Sequence, residues 1–217
     1  MTPDRSYPSP NHGEPLKQVE FAVIHYTACA FDDALELLTA KASKVSAHLL
    51  IDEQGRTFEL VPCWDGEAAC AWHAGRSRYE VGGKIWEEFN NFSIGIEIVN
   101  LNGNVFAYGE RQYQALITVL RHLIAFYPNL NEPGRIIGHE QIAGFRGKCD
   151  PGVQFDWNRV LKELFPGRAF SAPSPMISPS MVADLERLFS AVPGKQKSFS
   201  KYCSSVNALL ESLLGKR

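Results

Sequence analysis

The stretch GHEQIAGFRGKCDPG, residues 138–152, brings a histidine, a cation, a thiol and a carboxylate into one short span. Lys148, Cys149 and Asp150 are consecutive, so they cannot all serve to fill a core. His139 follows the apolar run RII, and a second histidine, His25, ends the run FAVIH. Either histidine alone reads as a satisfied core or edge residue. Asp150 alone reads as a turn residue before Pro-Gly. Together, two imidazoles and one carboxylate make a three-ligand zinc set of the catalytic type, which keeps its fourth position for water. Zinc lowers the pKa of such a water to about 7, so hydroxide becomes available at neutral pH. The ligands are scattered and no HExxH helix is present, so residue types by themselves are a weak signal.

Two more groups could work beside such a metal. Glu97 lies in the otherwise apolar run SIGIEIV, residues 93–99. Strand alternation sets Ser93, Gly95, Glu97 and Val99 on the face opposite Ile94, Ile96 and Ile98. A carboxylate there is costly unless it is paired, solvated or working. It reads either as half of a structural ion pair or as a general base facing the metal's water. Lys148 reads either as an exposed lysine with a snorkelling stem or as the cation that steadies the oxyanion of a tetrahedral intermediate.

Several elements must position these groups. Residues 21–25 and 93–99 read as buried strands, and residues 135–137 as a last strand leading into His139. Residues 48–51 and 57–60 flank the turn sequence DEQG and read as a hairpin. Residues 31–40 read as a helix, with Asp32 and Asp33 in the first turn where acids favour the dipole. Tyr113, Leu116, Ile117, Leu120 and Ile124 recur at helical spacing until Pro128 ends the segment, and Asp156 is placed to cap a helix running to Leu164. This order predicts an α/β domain with a mixed central sheet flanked by helices.

Residues 1–17, rich in Pro, Ser, Asn and Gly, read as an irregular arm, and residues 18–168 as the domain proper. Residues 169–217 read as a Ser/Pro linker (SAPSPMISPS) followed by a short helical extension. One apolar stripe there is Met181, Leu185, Leu188, Phe189 and Val192; the other is Tyr202, Val206, Leu209, Leu210 and Leu213. Two such helices offer little independent core, so they are expected to pack on the main domain or to join two copies as a homodimer.

The composition sets outer bounds. The chain has 217 residues, 45% of them hydrophobic, with a net charge of -2, which suits a folded globular protein. No basic excess points to nucleic acid, and no apolar run approaches the ~20 residues needed to span a bilayer. The first residues lack the apolar core of a signal peptide, so a cytoplasmic protein is expected, or an envelope-associated one if the native start lies upstream. Five irregularly spaced cysteines read as reduced thiols rather than as a disulfide framework.

The segments VIHYTA (23–28), VSAHLLIDEQG (45–55), AWHAG (71–75), NNFSIGIEIVN (90–100), IIGHEQIA (136–143) and KCDPG (148–152) resemble, in the right order, the type 2 N-acetylmuramoyl-L-alanine amidases. These are zinc peptidoglycan amidases related to the peptidoglycan recognition proteins. The resemblance covers about residues 18–165. It implies one Zn2+ per chain on His25, His139 and Asp150, with Glu97 and Lys148 as catalytic partners. The reaction it implies is cleavage of the amide between the lactyl group of N-acetylmuramic acid and L-alanine, in cell-wall turnover or recycling. The substrate would be peptidoglycan or an anhydro-muropeptide, with Trp72, His73 and Asn91 as candidate substrate contacts. His48 and His73 match further family positions and read as supporting rather than ligating residues.

Two features depart from the family pattern. The stretch between His139 and Lys148 is one residue longer, and Cys149 offers a thiol beside the expected ligand Asp150. Two other function classes therefore stand beside the amidase. One is a non-catalytic muropeptide-binding module, although no ligand of the zinc set is missing. The other is a cysteine hydrolase with Cys149 as nucleophile, which needs a thiolate activated by a nearby histidine. Every matched catalytic position lies before Gly152, so residues 176–217 are expected to take no part in the chemistry.

Overall fold

The computed structural model of the chain describes residues 2–178 together with 180, 181 and 183. In chain order its elements are β1 (His12–Pro15), β2 (Phe21–Tyr26), α1 (Phe31–Thr39), β3 (Leu49–Ile51), β4 (Thr57–Glu59), β5 (Ala69–Ala71), β6 (Arg78–Val81), β7 (Lys84–Glu87), β8 (Ser93–Ile98), α2 (Glu110–Phe126), β9 (Ile136–Gly138), α3 (His139–Ala143) and α4 (Trp157–Leu164). Five strands form the central sheet in the order β4-β3-β8-β2-β9. β3, β8, β2 and β9 run parallel, and only the edge strand β4 is antiparallel. Parallel strands covered on both faces read as continuous apolar runs, which is why FAVIH and the isoleucines of SIGIEIV are legible as strands.

Each face of the sheet has its own core. Ala22, Ile24, Ile94, Ile96 and Ile98 pack with Leu116, Leu120 and Leu123 of α2 and with Val160 and Leu161 of α4. On the other face, Leu50, Phe58 and Val99 pack with Ala34 and Leu38 of α1, while Phe21 and Val23 pack on Phe89 and Ala74. α2 begins three residues before its first apolar position, Tyr113, because Gln112 Oε1 accepts the Gly109 N–H at 2.9 Å and closes the first turn. α4 starts as expected, with an Asp156 carboxylate oxygen accepting the Arg159 N–H at 2.9 Å. Because β2, β8 and β9 are parallel, their C-terminal ends share one edge, where ligands bind in open sheets of this kind.

Three segments depart from the sequence reading. The arm is not irregular throughout, since His12–Pro15 pairs antiparallel with Ala69–Ala71. Polar side chains staple it down: Ser9 Oγ donates to Leu38 O at 2.5 Å, and Asn11 Nδ2 donates to Ala40 O at 2.8 Å and to Val45 O at 3.0 Å. Such attachment leaves no apolar periodicity to read. The β6–β7 hairpin, turned by Gly82 and Gly83 at φ 61° and 73°, is a further addition. The Ser/Pro stretch is not a free linker at its start, because Phe170 and Ala172 pack on the core and Ile177 is buried. Beyond Met181 and Ala183, the two C-terminal stripes and the dimer expectation lie outside the described residues. Cys29, Cys63, Cys70 and Cys149 are free thiols. No helix among the described residues is long and apolar enough to cross a membrane.

Candidate metal centre and active site

His25 is the fifth residue of β2, and β8 places Glu97 directly beside it in the parallel register. His139 opens α3 immediately after β9, and the loop after α3 returns Asp150 to both histidines. His25 Nδ1 lies 2.9 Å from Asp150 Oδ2, and His139 Nδ1 lies 3.1 Å from the same oxygen. One ligand atom from each of the three residues lies within 4.8 Å of the others, and all three residues are buried. Between His139 and Lys148 the chain makes a 3₁₀ turn at Gly144–Arg146 that ends on Gly147 with φ 87°. That left-handed conformation favours glycine, and from it the loop returns Asp150 to the two histidines.

The hydrogen bonds around the imidazoles fix what they can do. Ser93 Oγ lies 2.5 Å from Phe89 O, a carbonyl that can only accept, so the hydroxyl donates there. The hydroxyl oxygen then accepts from His73 Nε2 at 3.2 Å, which leaves His73 Nδ1 as an acceptor. His25 Nε2 lies 3.0 Å from that nitrogen and must donate to it. His25 Nδ1 therefore carries a lone pair. His139 Nε2 has two neighbours at 3.3 Å that ask for opposite tautomers: the Ala74 carbonyl, to which it would donate, and Arg146 Nη2, from which it would accept. The His25 lone pair and the Nδ1 atom of His139 thus converge on one carboxylate oxygen, and His139 Nδ1 also offers a lone pair in the tautomer that donates to Ala74 O. Three electron-rich atoms repel unless a cation sits among them, so this donor set fits a divalent metal of the zinc type.

Burial and the neighbouring groups set the ionisation of this cluster. Burial, reinforced by the neighbouring His139, pushes His25 down to about 4, so it stays neutral at neutral pH. Burial alone would raise Asp150, but His139 and then His25 outweigh it and hold the carboxyl well below the usual range, keeping it ionised. Glu97 is pushed up to about 8 by burial and then by Asp150, with Lys148 acting the other way. A divalent cation beside it would draw it back toward the carboxylate form. One Glu97 oxygen is enclosed and has no hydrogen-bond partner among the described residues.

A cleft of about 470 Å³ brings His25, Glu97, His139, Lys148 and Asp150 together, with Trp72 and His73 also in its lining. Trp72 is 37% exposed, leaving its ring available as a platform. His73 is engaged at both ring nitrogens, which makes it a support for His25 rather than a free substrate contact. Its ring lies so close over β8 that a Cβ on Gly95 would sit 2.4 Å from it, so this position of the strand has to be glycine. Asn91 corrects the sequence reading. It is exposed and does not line the cleft, whereas Asn90 does, with its Oδ1 accepting the backbone N–H groups of His73 and Ala74 at 3.1 and 2.7 Å. Arg146, which no sequence signal singles out, also lines the cleft and donates from Nη2 to Ala74 O at 2.7 Å.

Cys149 takes no nucleophilic stance. Its sulfur lies 3.4 Å from the Tyr26 hydroxyl and 3.5 Å from Asn104 Nδ2, and burial pushes the thiol up to about 12. The thiolate that a cysteine hydrolase needs is therefore not favoured.

His48 is structural, as expected. It is fully buried, donates from Nε2 to Ala69 O at 2.8 Å and accepts the Gly95 N–H on Nδ1 at 3.0 Å. Burial pushes it down to about 4. Because the folded value lies below the unfolded one of about 6.5, the unfolded chain takes up the proton first as pH falls. His48 should thus contribute full stability above pH ~6.5, and that contribution should fall by about 2 kcal/mol by pH 5. Urea unfolding at pH 7 and pH 5 is the check. The stability loss between the two should be smaller in His48→Asn than in the parent, and equal losses would refute the assignment.

The fold is an α/β sheet that carries a candidate metal-binding donor set at the C-terminal edge of its parallel strands. A family model described as N-acetylmuramoyl-L-alanine amidase matches residues 15–153. The chain is 45% identical over 116 residues to the 1,6-anhydro-N-acetylmuramyl-L-alanine amidase AmpD of Salmonella typhimurium, covering 54% of this chain and 55% of that protein. Among solved structures, a selenomethionine derivative of AmpD superposes with a TM-score of 0.61 at 31% identity, over 75% of this chain and 95% of that one. AmpDh3 of Pseudomonas aeruginosa, in complex with an anhydromuramic pentapeptide, gives 0.58 at 34% identity, over 68% of this chain and 60% of that one. The chain belongs to the N-acetylmuramoyl-L-alanine amidase family. The match spans about half the length of the curated relatives.

Proposed function

We propose that this chain is a zinc-dependent amidase that hydrolyses the bond between the lactyl group of N-acetylmuramic acid and L-alanine, in peptidoglycan or in anhydro-muropeptides. The observation that carries the reading is the convergence of two imidazole Nδ1 atoms and the Asp150 carboxylate in a cleft that also holds Glu97 and Lys148. A non-catalytic binding module would have no use for this complete set. The names of the relatives support the bond type, and the anhydromuramic pentapeptide held by AmpDh3 supports the substrate class.

His25, His139 and Asp150 would hold the zinc, which supplies Lewis acidity to the attacking water and to the substrate carbonyl. Glu97 takes a proton from that water and delivers it to the leaving nitrogen of L-alanine. Its burial keeps its proton affinity high enough to do both. Lys148 holds its ammonium against the oxygen that becomes negative as the carbonyl turns tetrahedral. Trp72, at the rim, offers its face to the sugar or the stem. His73 keeps His25 in the tautomer that leaves Nδ1 for the metal.

Lys148→Ala should lower kcat by roughly 10²–10³-fold with KM little changed, because its charge is needed mainly in the transition state. Steady-state kinetics on a soluble muropeptide would show this. A rise in KM alone would make Lys148 a substrate anchor instead. The function itself is tested by mass spectrometry of products from two substrates, purified sacculi and an anhydro-muropeptide. Release of a free stem peptide beginning with L-alanine from either one supports the reading. Cleavage only at a glycosidic bond, or inside the stem, would end it.

A further inference from the structure

Helix α3 has only five residues, His139–Ala143, and carries a metal ligand at its first position. A helix this short does not hold its own geometry in water, so its placement has to be imposed from outside. Its second residue, Glu140, is 1% exposed and bonded at both ends. The Glu140 backbone N–H donates to Asp150 O at 2.9 Å, which ties the turn of one candidate ligand to another. Its Oε2 accepts the backbone N–H of Met176 at 2.8 Å, while Oε1 is enclosed with no hydrogen-bond partner among the described residues. Gln141 adds a second tie, donating from Nε2 to Ser174 O at 3.0 Å while its Oε1 accepts the Gly138 N–H at 2.7 Å. The Met176 side chain lies on Gly144, where an added Cβ would meet its Cε at 2.8 Å. Ile177, 2% exposed, anchors the segment in the core.

We propose that residues 174–177 form a clamp on the metal site, and that Glu140 is the positioning residue that joins the clamp to His139 and Asp150. This rests on the metal reading above. It assigns a role in the chemistry to residues past the family match, which ends at residue 153. A buried carboxyl group is costly unless it is hydrogen-bonded, and the clamp supplies one such bond, from Met176 N–H to Oε2. With the bond made, the first turn of α3 is fixed relative to the Asp150 loop, and the two Nδ1 atoms keep their separation from Asp150 Oδ2. Without it, the three ligand atoms are no longer pre-arranged, and metal binding has to order them. Loss of a hydrogen bond that orients a ligand lowers metal affinity by roughly 10–100-fold.

The test measures zinc affinity by chelator competition on full-length protein, alongside circular dichroism and urea unfolding. Glu140→Ala removes the acceptor, Met176→Pro removes the donor, and Glu140→Gln keeps an acceptor oxygen in place. Val119→Ala, a buried position on α2 far from the clamp in sequence, controls for general loss of stability. The expected result is a zinc affinity lowered roughly 10–100-fold in Glu140→Ala and in Met176→Pro, with Glu140→Gln near the parent and Val119→Ala unchanged. Parental affinity in folded Glu140→Ala would overturn the clamp and leave residues 174–177 as simple cover. Equal weakening in Val119→Ala would overturn it too, since the effect would then be one of stability. Should the parent itself bind no zinc, the metal reading falls, and the clamp with it.

Discussion

Asp150→Ala should lose both its metal and its hydrolytic activity. Asp150 Oδ2 is the point on which His25 Nδ1 and His139 Nδ1 converge, at 2.9 and 3.1 Å. Removing it leaves two imidazoles, one fewer than the three protein ligands that a catalytic zinc site uses. Cys149 is next in the chain but cannot step in, because its sulfur is engaged by Tyr26 and Asn104 and its thiol is held protonated by burial. His25→Ala and His139→Ala should behave alike. Elemental analysis of the purified variants should find zinc near zero, and muropeptide hydrolysis should fall to background. Full zinc occupancy in Asp150→Ala would move the ligand assignment to the thiol.

Glu97→Gln separates the metal from the proton transfer. Glu97 is not one of the three converging ligands, so the variant should retain zinc at the parental level. An amide in its place cannot take a proton from water or return one to the leaving amine. The expected loss in kcat is on the order of 10²–10⁴-fold, the usual contribution of general acid–base catalysis. Zinc content and kcat measured on one preparation decide the matter. Loss of zinc with loss of activity would make Glu97 a ligand or a support, and retained activity would place the base elsewhere.

Much of this arrangement is written locally. FAVIH and SIGIEIV are strands because both faces of a parallel sheet are covered, and the histidine and glutamate that interrupt them stand out for that reason. The pairing of His25 with Glu97 is a matter of register, which no local pattern states. His73 and Ser93 illustrate the limit: the relay that sets the His25 tautomer joins three segments through side chains common on any surface. The arm is held by Ser9 and Asn11, and the clamp by backbone groups of Ser174 and Met176, so neither leaves an apolar period to read. The choice of Asn90 over Asn91 turns on the conformation of one 3₁₀ turn, Phe89–Asn91, which sends neighbouring side chains in different directions. The Gly82-Gly83 pair, in contrast, is a hairpin signal that the sequence does carry.

The central claim is that His25, His139 and Asp150 hold one zinc ion that the amide hydrolysis requires. It is tested most directly by stripping the protein with a chelator, removing the chelator, and titrating zinc back while following release of the stem peptide from a muropeptide. No hydrolysis is expected in the stripped protein, and the rate should rise linearly with added zinc and break at one zinc per chain. Full activity in the stripped protein, or a rate that ignores added zinc, would contradict it.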